Sequence, residues 1–118
     1  MDIDVKRVYD APSRGDGERI LVDRVWPRGM RKADARLDQW LKEIAPSSAL
    51  RKWFGHDESK WEEFKRRYFQ ELDEKSDVVA GLLQRAGKAR LTLLFGARDR
   101  EHNNAVALAH YLKAVHRH

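Results

Sequence analysis

RLTLLFG, residues 90–96, is the stretch on which the fold turns. Leu91, Leu93, Leu94 and Phe95 are large and apolar, so neither face of a strand built from them is polar. That pattern belongs to a strand covered on both sides, as in a parallel sheet flanked by helices. Downstream, Ala97-Arg98-Asp99 leads into a last helix carrying Ala105, Leu108, Leu112 and Val115, with Asp99 as its expected N-cap. Upstream, RILVDRV (19–25) reads as another strand, and its centre Ile20-Leu21-Val22 also predicts burial on both faces. Trp26-Pro27-Arg28-Gly29 ends it, because Pro27 lacks the N–H that a central strand donates. IDVKRVY (3–9) is a first strand, and APSRGDGE (11–18) is a loop by its Pro, Ser, Gly and Asp content.

Four helical segments fill the middle. Leu37, Trp40, Leu41 and Ile44 recur at helical spacing and predict an amphipathic helix that Pro46 closes. Ser47 is positioned to cap a short helix with Leu50, Trp53 and Phe54 on one face and Gly55 just past its end. Ser59-Lys60-Trp61-Glu62 matches a capping box ahead of a helix with the stripe Trp61, Phe64, Tyr68 and Leu72. Ser76 is expected to cap a further helix through Ala86, stopped by Gly87. Together these elements predict an α/β sandwich: one domain over 1–118, with a small, mostly parallel sheet of three or four strands flanked by helices. The 11–18 loop is short for a parallel crossover, so an antiparallel hairpin of the first two strands stays open as the alternative.

Composition bounds the chemistry. A chain of 118 residues buries roughly 65% of its unfolded surface, enough for a core without staples. With no cysteine, disulfides, thiolate metal sites, Fe–S clusters and a cysteine nucleophile are excluded. The N-terminus MDIDVKRVYD has no signal-peptide apolar region, and no apolar run approaches the roughly 18 residues of a membrane span. No membrane association is expected, and the location expected is cytoplasmic. The net charge of +5 mildly favours anionic partners, with both signs interspersed except over 24–36. There Arg24, Arg28, Arg31, Lys32 and Arg36 face only Asp34.

In open α/β sheets ligands bind beyond the carboxyl ends of the strands. Those ends carry Tyr9-Asp10, then Asp23, Arg24, Trp26 and Arg28, then Arg98 and Asp99. Arginines suit phosphate or carboxylate, and the N-terminus of the last helix adds partial positive charge. The candidate ligand-binding set is therefore Asp23, Arg24, Trp26, Arg28, Arg98, Asp99 and Asn103, with Asp23 and Asp99 orienting the arginines. The opposing possibility is that Arg24 or Arg98 simply pairs with those aspartates. His56, Asp57 and His102 are the candidates for proton transfer. His110, His116 and His118 are expected to face solvent. No ligand spacing suggests a metal, and no Gly-rich cradle or Gly-x-Ser-x-Gly elbow occurs, so no cofactor is expected.

LVDRVWPRG (21–29), LDQWLKEIAPSSALRKWFGHD (37–57), WEEFKRRYFQEL (61–72) and LTLLFGARDREHNNAVAL (91–108) together resemble the YeaO-like family of bacterial domains of unknown function. The likeness covers nearly the whole chain and implies a small α/β sandwich, with no established reaction to carry over. Longer members of the wider group have a cysteine-bearing segment after the last strand, where this chain has Phe95 and Asn103. Chemistry needing those thiols is absent here. The resemblance also implies that the 11–18 loop is a trimmed crossover between parallel strands. Three readings follow: a pocket for a small anionic ligand, phosphate-bearing or nucleotide-like and open to enzymatic use; a nucleic-acid-binding or regulatory module using the basic surface; and an interaction domain with no ligand. The first is favoured, and the oligomeric state is left open.

Overall fold

The computed structural model describes residues 1–116. Strands β1 (Ile3–Arg7), β2 (Glu18–Leu21), β3 (Gln39–Trp40) and β4 (Leu91–Phe95) form one sheet in the order β1-β4-β2-β3, every pair parallel. The hairpin alternative fails because β4 lies between β1 and β2. Val5 and Ile20 both register with Leu93, and Lys6 and Leu21 with Leu94. β4 is the central strand, and all five of its residues are buried. Its double-faced apolar sequence has this physical cause.

Helices α2 (Ser48–Phe54), α3 (Trp61–Asp73), α4 (Ser76–Lys88) and α5 (Asn104–His116) enclose the larger core. Ile20, Val22, Leu91, Leu93 and Phe95 pack there against Phe64, Tyr68, Leu82 and Leu108. The other sheet face has a smaller core of Val8, Leu21, Ala35 and Leu94. It is roofed by the chain from Trp26 to Trp40, which includes the single-turn helix α1 (Lys32–Ala35). No described helix is long and apolar enough to cross a membrane.

Three sequence expectations change. The predicted 37–44 helix is instead strand β3 followed by a 3₁₀ turn at Lys42–Ile44. Leu37 and Trp40 pack on the small core, whereas Leu41 and Ile44 enter the large one. The apolar residues are therefore shared between two sheet faces as the chain rounds the edge, and pairing with β2 overrides their helical spacing. Second, Ser59 caps nothing: its N–H and hydroxyl donate to Asp57, and Lys60 precedes α3. Ser76 is likewise the first residue inside α4, which continues past Gly87 to Lys88. Third, α5 starts at Asn104, where Asn103 Oδ1 accepts from Val106 N at 2.9 Å. Asp99 instead receives Glu101 N and His102 N in the preceding turn. The α2 reading holds, with Ser47 Oγ accepting from Leu50 N and Gly55 left-handed at φ 54°.

A buried ion cluster fixes the small-core side. Asp16 and Arg19 are 4% and 5% exposed, and Arg19 Nη1 lies 2.6 Å from Asp16 Oδ2. Arg19 also donates to the carbonyls of Ala35 and Arg36. The start of β2 thereby grips the end of the 22–36 excursion.

Candidate functional site

Because all four strands run the same way, their carboxyl ends share one edge, and the segments leaving it enclose a cavity of about 630 Å³. The end of β1 contributes Arg7 and Tyr9, and the chain after β2 contributes Asp23 through Arg28. Residues 96–98 after β4 form another wall. Arg51 and Phe54 enter from α2, His56 from just past it, and Asn103 and Asn104 from the start of α5.

The 22–30 wall is held firmly. Tyr9 donates its hydroxyl to Arg28 O at 2.6 Å, Trp26 Nε1 to Met30 O at 2.6 Å, and Trp40 Nε1 to Asp23 O at 2.7 Å. Trp26 also meets Trp40 edge to face at 5.2 Å. On the facing side, Gly55 and His56 both adopt left-handed backbone, at φ 54° and 58°. Histidine tolerates this region better than most residues. Two successive left-handed residues turn the chain back toward the cavity.

Asp23 is the one carboxylate on the lining. Its oxygens accept from Gly96 N at 2.8 Å and Asn104 Nδ2 at 3.0 Å, joining β2, β4 and α5. Burial pushes its carboxyl above the usual aspartate range, against the pull of those two hydrogen bonds. A Cβ on Gly96 would lie 3.1 Å from Asp23 Oδ2, so the glycine permits this close approach.

With that single carboxylate the lining carries five arginines: Arg7, Arg24, Arg28, Arg51 and Arg98. Among the described residues none of the five forms an ion pair, whereas Arg19, Arg66, Arg67, Arg90 and Arg100 each do. Arg7 and Arg24 donate only to the carbonyls of Ala97 and Pro46. The expected orienting role of Asp23 and Asp99 is therefore corrected, as is the opposing idea that they neutralise Arg24 or Arg98. Asp23 is committed to Gly96 and Asn104, and Asp99 to its own turn and to His102.

The ten sequence candidates divide. Asp23, Arg24, Trp26, Arg28, His56, Arg98 and Asn103 line the cavity; Asp57, Asp99 and His102 do not. The Asp57 carboxylate serves Ser59, which draws it below its ordinary range. His102 lies outside, its ring against Trp61 at 5.3 Å and its Nδ1 2.9 Å from Asp99 Oδ2. Glu58 Oε2 is 3.7 Å from the same nitrogen, so Glu58, Asp99 and His102 gather three potential metal-ligand atoms, two oxygens and one nitrogen, within 4.8 Å of one another at the surface. Asn103 borders the cavity, but its side chain is taken up by capping α5 and by Asp99 O.

Sequence reasoning missed Arg7, Arg51 and Asn104. Arg7 carried a readable signal: it continues the apolar row Ile3, Val5 on β1, where a charged side chain is out of place unless the row opens at a site. Arg51 had none, since it sits beside Leu50 on a helix read for its apolar face. Asn104 binds Val22 O and Asp23 across more than eighty residues of sequence.

Over residues 2–118 the chain matches the family described as "Inactive DUF488-N3 subclade". It is 44% identical over 115 residues to the uncharacterized protein YeaO of Escherichia coli (strain K12), covering 98% of this chain and 100% of that one. It is 40% identical over 108 residues to an uncharacterized protein of Mycobacterium tuberculosis (strain ATCC 25618 / H37Rv), covering 92% and 91%. The resemblance read from the four sequence motifs is thus borne out. No solved structure matches the chain.

Proposed function

We propose that the cavity of this chain, which belongs to the family described as the inactive DUF488-N3 subclade, binds a small, multiply charged anion and releases it unchanged. The observation that carries this reading is the set of five cavity arginines without carboxylate partners, on a lining with a single aspartate. Arginine forks pair with carboxylate and phosphate oxygens through parallel N–H donors, and their charge stays fixed at any physiological pH. Clustering unpaired positive charge costs stability, and an anionic ligand is the physical counterpart that offsets it.

Binding without turnover fits the lining. It contains no serine, threonine, cysteine or lysine, and its one tyrosine hydroxyl is spent on Arg28 O. His56 is hydrogen-bonded to no carboxylate: Asp57 turns away to Ser59, and the Asp23 oxygens are taken by Gly96 N and Asn104 Nδ2. A nucleophile paired with a base, the usual arrangement for covalent catalysis, is not assembled. The nucleic-acid alternative has less support: on α3 Glu63 takes both Arg66 and Arg67, so that helix presents no free basic stripe.

The test is thermal unfolding in phosphate and pyrophosphate against chloride at matched ionic strength, for the wild type and an Arg51→Gln/Arg98→Gln double variant. An anion at 100 times its Kd stabilises by roughly 2.7 kcal/mol. The wild type is expected to gain stability and the double variant to lose most of that gain. Equal gains in both proteins would reject the reading.

A further inference from the structure

We infer that the ligand of this cavity carries a flat apolar ring beside its anionic group, making it an aryl or nucleobase-bearing phosphate rather than a bare inorganic ion; this deepens, and rests on, the anion-binding reading above. The distribution of exposed apolar surface carries the inference. The large hydrophobic side chains left exposed are Met1, Tyr9, Val25 and Val115. Two of these, Tyr9 at 38% and Val25 at 52%, border the arginine cavity. A site for phosphate alone has no use for apolar walls, and among the described residues the other exposed large hydrophobics, Met1 and Val115, lie near the two ends of the chain.

The interior continues the theme. Phe54 and Phe64 stack at 4.4 Å, and both reach the cavity, as do Pro27 and Pro46. Ligand sites are typically apolar hollows with a few placed polar groups, of a size this cavity matches. Here the polar groups are arginines, whose planar guanidinium faces also stack on rings; Arg7 already lies over Tyr9, 4.5 Å from its ring centre. An amphiphilic ligand satisfies both halves at once, with its phosphate on the guanidinium groups and its ring against Val25 and Tyr9.

Titration calorimetry with methyl phosphate, phenyl phosphate and adenosine monophosphate tests this, because the three share one phosphomonoester group and differ in the ring. Ring-bearing ligands should bind roughly tenfold tighter than methyl phosphate, the effect of burying on the order of 60 Å² of apolar surface. Val25→Ser, at an exposed position, should shrink the ratio of ring-bearing to methyl phosphate affinity, whereas Arg98→Gln should weaken all three. A nucleotide preference over phenyl phosphate would assign the ring to a nucleobase, and the reverse to a simpler aryl group. Equal affinity for all three in the wild type would overturn the inference and leave the anion reading standing. Failure of all three to bind would overturn both.

Discussion

Replacing Asp16 with asparagine removes one charge from a cluster that holds the pocket wall from behind. The carboxylate accepts from Ser13 N, Ser13 Oγ, Lys6 Nζ and Arg19 Nη1. Burial opposes its charged form, but these donors outweigh that cost and hold the carboxyl far below its usual range. An asparagine amide would set its own N–H donors against donors already there. Breaking a buried ion pair from one side costs about 3–5 kcal/mol. Arg19 keeps its bonds to Ala35 O and Arg36 O, and Lys6 keeps Ala11 O, so the lower end, about 3 kcal/mol, is expected. At roughly 4 °C per kcal/mol for a domain of this size, the midpoint should fall by about 12 °C. Urea unfolding should show the same loss with an unchanged slope. The pH dependence has a definite sign. A depressed carboxyl contributes stability above its unfolded value of about 3.9, lost as pH falls toward the folded value, and the variant should lack that acid-side slope. A loss under about 1 kcal/mol would refute the reasoning, for that is the worth of a solvated surface pair.

Asp23 should behave oppositely: its raised carboxyl favours the protonated fold, a contribution present below the unfolded value and lost as pH rises through the folded one. Asp23→Asn removes the buried charge but turns its amide N–H groups toward Gly96 N or Asn104 Nδ2, so it should cost less than Asp23→Ala, which strands Gly96 N, leaves Asn104 Nδ2 only Val22 O, and should cost about 1–3 kcal/mol in chemical denaturation. Gly17 has φ 64°, and a Cβ there would collide with the Arg90 carbonyl, so Gly17→Ala should cost more than about 2 kcal/mol and lower soluble yield. Arg51→Gln and Arg98→Gln remove exposed, unpaired charges, and each should leave stability within about 0.5 kcal/mol of wild type or raise it, as thermal unfolding without added anion will show.

The parts of the fold legible in sequence were those dictated by burial alone. Leu91–Phe95 and Ile20–Val22 declare strands covered on both faces, and the structure buries every one of them. Strand order was not legible, because the insertion of β4 between β1 and β2 depends on contacts some ninety residues apart, such as Ile3 with Leu91. Helix starts misled wherever a capping side chain had a competing partner, as Ser59 does in Asp57 and Asp99 in His102. The site's edge followed from the parallel topology, which delivers Arg24, Arg28 and Arg98 to one place. Its full charge did not, since Arg51 arrives on α2 and its approach is set by tertiary packing. His102 and Asp57 drew attention by residue type, yet their hydrogen bonds direct them away from the cavity.

The central claim is that the unpaired arginines form one anion site, and arginine side-chain Nε–Hε resonances report on it group by group. Titrating phosphate into ¹⁵N-labelled protein should shift the signals of Arg7, Arg24, Arg28, Arg51 and Arg98 together along one saturating curve. The paired Arg66, Arg90 and Arg100 should stay in place. Shifts spread evenly over paired and cavity arginines, or no saturation, would contradict the account.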